Sequence, residues 1–369
     1  MSKSKQSGRL FPFLHYQRFM GLTDIDYSSS LESYVINGNW FSHSIQLGIQ
    51  IVFIACFYGA VSGRYVNLSS ESGNDFHHIY ILTAPITQIL VNIWLRVKQE
   101  SQLIIINRLT DWSRDLGVNT LELNRPKWLY RIWVTISILY ACDIVFARFY
   151  FNVNQSFGYY LAMSGYIVLL VRTNYIILCY TAMVNLVMVL LEEQANQLQS
   201  ESTNTVDRLA QNLRLHDKLF LLCHEQIVEV FGGSLVFLFL YTVLDAICTC
   251  YLASLEERFS FVEVLFVLCW IVPIFMSLII PLTANNLTKQ ANKTAKILAK
   301  IPRTGSGLDK MVEKFLLKNL RQQPILTAYG FFALDKSTLF KLFTAIFTYM
   351  VILVQFKEME NSTKSLQKP

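Results

Sequence analysis

The sequence predicts an all-α protein that crosses a membrane seven times, with the N-terminus in the cytoplasm, the C-terminus outside, and a helical layer on the cytoplasmic side. Three observations predict it. Of 369 residues, 53% are hydrophobic and 16% charged, with a mean hydropathy of +0.36, too apolar for an ordinary soluble domain. The apolar residues gather into windows close to the ~20 residues that cross a bilayer core. Most of the Lys and Arg residues fall in alternate connecting segments, the asymmetry expected when basic loops stay inside.

The elements follow in order. Residues 1–39 carry basic residues without the short apolar core and small-residue cleavage site of a signal peptide, so this segment reads as cytoplasmic. Spans are expected near 40–61, 78–95 and 132–148. A fourth apolar run begins at Gly158 and continues to Leu191. As helix it would be about 51 Å long against a hydrocarbon core of about 30 Å, so its end must stand out of the membrane. Further spans are expected near 230–253, 262–282 and 339–356. Between them, 192–229 and 283–338 read as folded helical extensions. Val206, Leu209, Leu213, Phe220, Cys223 and Ile227 recur at helical spacing, as do Leu287, Ala291, Ala295 and Leu298, and Met311, Phe315, Leu316 and Leu320 after the break at Pro302–Gly307. The division is therefore a cytoplasmic segment 1–39, a six-helix bundle with its extensions over 40–338, a seventh helix over 339–356, and an extracellular tail over 357–369.

Orientation has a second indicator. The acceptor triplets at Asn67, Asn154 and Asn361 all fall on the expected outer face and are glycosylation candidates, although Asn286 and Asn292 head similar triplets on the inner side. All cysteines except Cys223 lie in expected spans, so no extracellular disulfide is expected. A cytoplasmic N-terminus argues against a G-protein-coupled receptor. So does the absence of an Asp-Arg-Tyr-like triplet after the third span and of Asn-Pro-x-x-Tyr in the seventh.

No enzyme motif, cofactor site or metal site emerges. The histidines His15, His43, His77, His78, His216 and His224 lack ligand spacing, and Gly232-Gly233 stands alone at the mouth of span five. The basic residues at 289–300 fit topology and lipid headgroup contact rather than nucleic acid. Ionisable residues inside spans are costly and face protein or water; here they include Asp143, Arg172 and Asp245. Asp143 and Asp245 belong to the outer half of the bundle, with Tyr140, Tyr159, Tyr160, Ser164, Tyr241 and Trp270 in neighbouring spans. Aromatic walls with a few polar groups suit a small-molecule pocket. The alternative is that Asp143 and Asp245 neutralise Arg148 or Arg172.

The last span closes with Thr348-Tyr349, five apolar residues, then Gln355-Phe356, and is preceded by Gly330-Phe331-Phe332-Ala333-Leu334-Asp335. An amide such as Gln355 near the end of a membrane span is costly without protein or water partners. These two stretches resemble the signature of the insect gustatory receptor family. The resemblance implies a ligand-gated, non-selective cation channel of four subunits, held together by a cytoplasmic anchor layer and opened by small extracellular tastants in an outward-facing pocket between the second and sixth helices. It also implies that Gln355 contributes a polar ring and Phe356 an apolar constriction, with Thr348 and Tyr349 packing helices. Met350 stands where sugar receptors of the family carry Glu, so bitter or aversive ligands are expected over sugars. Partners are then the tastant, membrane lipids and copies of this or related gustatory receptors. The expected location is the plasma membrane of gustatory neuron dendrites. The alternatives are a non-conducting or obligate co-receptor subunit of a heteromeric taste channel, and, further off, a G-protein-coupled receptor.

Overall fold

The computed structural model describes residues 12–28, 30–62, 71–118, 131–138, 142, 157–200, 206–255, 261–299, 307–321 and 326–366. The described residues are mostly helical, with one short two-stranded ribbon near the N-terminus. Helix α1 (Pro12–Phe19) leads into strands β1 (Ile25–Ser28) and β2 (Ser33–Ile36). There follow α2 (Trp40–Ser62), α3 (Glu71–Val97) and α4 (Gln99–Asp115), then a helical stretch at 131–138. The second half holds α5 (Phe157–Ser200), α6 (Val206–Leu221), a π-helical turn (Leu222–Ile227), α7 (Val228–Leu255), α8 (Phe261–Leu298), α9 (Gly307–Arg321) and α10 (Lys336–Leu366).

The expected spans lie on helices: 40–61 on α2, 78–95 on α3, 158–191 on α5, 230–253 on α7, 262–282 on α8 and 339–356 on α10. The third is helical over 131–138, and most of its remainder lies outside the described residues. Among the described residues three stretches are long and apolar enough to cross a membrane, Ile167–Leu198, Ala210–Cys248 and Lys336–Met359, with shorter apolar stretches at Ser42–Ala55 and Leu82–Val97. Helix α5 is apolar all round and sits at the centre, as such a helix must. Tyr175, Ile176, Met183, Val184, Val187 and Leu190 are fully enclosed there by α2, α3 and α8. The apolar window of α5 is 83% buried, whereas that of α10 is 6% buried.

The ribbon and α4 are the departures from the sequence expectation. Strands β1 and β2 pair antiparallel from Ile25↔Ile36 to Ser28↔Ser33, closed by Glu32 at φ 49° and stiffened by the Tyr27–Tyr34 ring pair at 5.2 Å. Asn107 of α4 straps the ribbon by accepting from Tyr34 N–H at 2.9 Å and donating to Tyr34 O at 3.0 Å. Helix α4 in turn buries Gln102, Ile105, Ile106, Leu109 and Ser113, one stripe at helical spacing. The extensions beyond the apolar helices pack on one another: Leu213 of α6, Leu298 of α8 and Phe315 of α9 form one apolar cluster joined by Leu198 of α5.

Candidate functional site

Three groups of residues carry the chemistry, and the first is on α7. Tyr241 and Asp245 lie one turn apart and are buried, at 3% and 1% exposure. Tyr241 packs with Cys248 of the same helix and with Phe53 of α2, Ala84 of α3 and Leu169 of α5. Val243, Ala246 and Ile247 project from the other side of α7, about 180° away at ~100° per residue. These three hold Ile346, Leu342 and Leu353 of α10. One helix thus carries two pocket candidates on one face and the docking surface of α10 on the opposite face.

The other pocket candidates are spread along the chain. Tyr159, Tyr160 and Ser164 belong to the first turns of α5, Trp270 to α8, and Asn361 to α10. Tyr140, Asp143, Asn67 and Asn154 lie outside the described residues. Arg172 of α5 meets an amide among the described residues, while Asp143 and Arg148 lie outside them. Arg172 is fully buried, donates from Nη2 to Asn92 Oδ1 of α3 at 3.2 Å, and lies over the Phe53 ring at 4.9 Å.

The second group is α10 itself. Opposite the face held by α7 runs a line of Thr344, Thr348 and Gln355, with Gln355 about 180° round from Ile346. All three are exposed, as are Phe347, Tyr349 and Phe356 at 64%, 57% and 53%. Thr348 Oγ1 is satisfied by Thr344 O at 2.8 Å. A shallow groove of about 500 Å³ runs past Phe340, Thr344, Thr348 and Ile352. Thr348 and Tyr349, expected to pack helices, are both exposed among the described residues.

The third group joins α10 to the rest. Residues 327–333 form a tight hairpin through the Thr327↔Ala333 bridge, with Ala328 N–H donating to Phe332 O and Leu334 N–H to Leu326 O. Asp335 then caps α10 by accepting from Thr338 N–H at 2.8 Å. At the hairpin tip Tyr329 adopts φ 51°, a strained value for a residue with a side chain. Its ring meets Trp94 of α3 edge-on at 5.1 Å, and Trp94 Nε1 donates to Val230 O of α7 at 2.9 Å. The glycine pair of α7 is what lets these parts approach. A Cβ on Gly232 would stand 2.8 Å from Tyr329 N, and one on Gly233 would stand 2.5 Å from the Trp94 ring. Lys98 completes the junction by an ion pair to Glu229 at 2.6 Å.

Electrostatics outside the apolar helices centre on Asp24. Its burial would raise the carboxyl pKa, but hydrogen bonds from Ser42, Arg96 and Gln46 and the Arg96 charge outweigh this and hold it below the ordinary 3.8. Arg96 Nη1 is 2.6 Å from Asp24 Oδ2, and Arg18 pairs with the neighbouring Asp26 at 2.9 Å. The N-terminal segment is thereby latched to the ends of α2 and α3.

The geometry can be set against known proteins. A family profile described as a 7tm chemosensory receptor matches residues 10–360. The chain belongs to that family. The gustatory and pheromone receptor 39a of Drosophila melanogaster is 46% identical in its isoform B over 98% of both chains, and 36% identical in isoform C over 98% and 99%. Among solved structures, the olfactory receptor OR5 from Machilis hrabei in complex with eugenol superposes with a TM-score of 0.69 at 12% identity, covering 94% of this chain and 97% of that one. This chemosensory receptor therefore has the olfactory receptor fold, and the resemblance read from its last helix holds over the whole chain. It is a membrane receptor of an insect gustatory type, and its family is not one of enzymes.

The contacts that knit this receptor together leave uneven traces in the sequence. Gln88 and Asn92 were visible as amides within an expected span, a costly placement that signals buried partners. The Trp94–Gly233–Tyr329 contact has no local signal, because its members are far apart in sequence.

Proposed function

We propose that this chain is a subunit of a ligand-gated, non-selective cation channel in which four copies of α10 surround a pore. Gln355 supplies a polar ring and Phe356 an apolar constriction. The observation that carries the reading is the burial of α10. Its apolar stretch, Lys336–Met359, is 6% buried by its own chain, and the face turned away from α7 bears a polar line of Thr344, Thr348 and Gln355. A helix facing lipid gains nothing from that line, whereas a helix facing water and sister helices needs it. The constriction is relieved when ligand binding in the outer half of the bundle shifts α7, which touches both the pocket candidates Tyr241 and Asp245 and the back of α10.

In this reading seven spans place the N-terminus in the cytoplasm and the C-terminus outside. The packed extensions α6 and α9, with the ends of α5 and α8, form the cytoplasmic anchor layer of the tetramer. The receptor sits in the plasma membrane of gustatory neuron dendrites. The ligand is a small non-sugar molecule, bitter or otherwise aversive. The near full-length likeness to a receptor named for both taste and pheromone supports a second ligand class, a pheromone. A subunit that conducts only with a related gustatory receptor is the other form of this proposal, and co-expression distinguishes the two.

Gln355→Glu tests the pore. A ring of four carboxylates in place of four amides should raise divalent over monovalent permeability and shift the reversal potential in calcium. An unchanged permeation profile at normal surface expression would remove α10 from the pore.

A further inference from the structure

We propose that the seam between α2, α3 and α5 binds the carboxylate of an amphipathic organic acid, with Arg172 as its anchor. Arg172 lies in the middle of the apolar run of α5 and is 0% exposed. A guanidinium in such surroundings requires a counter-charge or a full set of hydrogen bonds. Among the described residues this one has neither: Nη2 donates to Asn92 Oδ1, while Nε and Nη1 meet no partner there. Arg96, one turn beyond Asn92 on α3, shows the contrast, because its charge is met by Asp24 at 2.6 Å. Arg172 is in no such pair among the described residues.

The anchor is also held in place. Phe53 of α2 lies against the guanidinium at 4.9 Å and Asn92 fixes one end of it. Gln88, one turn before Asn92, donates to Leu169 O at 3.4 Å and to Thr173 Oγ1, locking α3 to α5 beside it. A planar donor set fixed on two sides is a pre-organised receiver for a carboxylate, which guanidinium recognises through parallel N–H donors. The ligand's body must be largely apolar, because Phe53 belongs to a buried cluster with Ala84, Leu169, Tyr241 and Cys248. Ile89, Leu90 and Ile93, adjacent in sequence to the two amides of α3, face outward, so the seam lies one layer beneath an apolar surface. The acid has two possible sources, an aqueous aromatic carboxylate or a fatty acid from the bilayer. The site borders the Tyr241–Asp245 face, because Phe53, Ala84 and Leu169 also pack with Tyr241, and it does not depend on the receptor being a channel.

The test is direct binding to the purified full-length receptor in detergent, with radiolabelled benzoate and radiolabelled dodecanoate as probes and their methyl esters as competitors. Saturable binding of either probe is expected, resisted by the ester and weakened at least tenfold in Arg172→Met. The probe that binds identifies the source. Binding of neither probe, equal competition by the ester, or equal affinity in Arg172→Met would overturn the proposal. Ester competition uses only the unaltered receptor, so the answer stands even if Arg172→Met does not fold.

Discussion

Gly233 offers the sharpest perturbation of the junction between α3, α7 and the hairpin before α10. In Gly233→Ala the new methyl would lie 2.5–2.6 Å from the Trp94 ring atoms Cε2, Cδ2 and Cζ2, about 1 Å inside the ~3.5 Å of ordinary carbon contact. The indole must retreat by that amount. Retreat breaks the Nε1–H bond to Val230 O and the edge-on contact with Tyr329, each worth about 1 kcal/mol. Residual overpacking adds about 1–3 kcal/mol. Against this, Ala is favoured over Gly inside a helix by about 1 kcal/mol. The net cost is about 2–4 kcal/mol, so the clash wins. Once the ring is removed by Trp94→Ala, only the helix term remains, and Gly233→Ala should stabilise by about 1 kcal/mol. The sign of one substitution therefore reverses with the residue opposite it. Thermal unfolding of the four receptors in detergent, followed by size-exclusion chromatography, reads the cycle. Stabilisation by Gly233→Ala in the unaltered background, or the same change in both backgrounds, would refute the packing argument.

Three further outcomes follow from the same geometry. Asp24→Asn removes a carboxylate 2.6 Å from Arg96 and should cost about 2 kcal/mol, below the value for a fully buried pair because Arg96 is partly exposed. Since the folded pKa of Asp24 lies below 3.8, its contribution is complete above that pH and is lost as pH falls through the folded value; unfolding measured across acid pH should show a shallower slope in the Asn variant. Asp335→Ala deletes the cap on Thr338 N–H and should destabilise by about 1 kcal/mol in a thermal melt, with Asp335→Asn recovering most of it. Asp245→Asn keeps the buried shape of its site and should change which ligands activate the receptor while surface labelling stays normal; an unchanged response profile would dismiss Asp245 as a contact.

Much of the helical layout was legible because apolar length is a one-dimensional signal. The runs at 158–191 and 230–253 can be read off hydropathy, and the excess length of α5 follows from arithmetic on its residues. The β1–β2 ribbon was not legible. Four-residue strands present too few inward positions for a period to show, and the ribbon is held by Asn107, 73 residues away from Tyr34. Helix α4 was readable in principle from Gln102, Ile105, Ile106 and Leu109, but its apolar stripe is narrow and interrupted by amides. For the site, Asp245 stood out as a charge within an apolar run. The choice of Asn92 as the partner of Arg172 did not, because it depends on how α3 crosses α5. Gly232-Gly233 looked like an isolated pair until the structure placed Trp94 and Tyr329 against it.

The central claim, that this receptor is itself a channel, is tested most directly in excised patches. The receptor alone would be expressed in cells and screened against a panel of bitter compounds. The most active compound would then be applied to outside-out patches in nucleotide-free solution. A current that persists, reverses near zero with sodium and potassium on opposite sides, and changes its reversal in calcium with Gln355→Glu is what the account predicts. A response seen in intact cells that vanishes on excision, and returns only when guanine nucleotide is supplied, would contradict it.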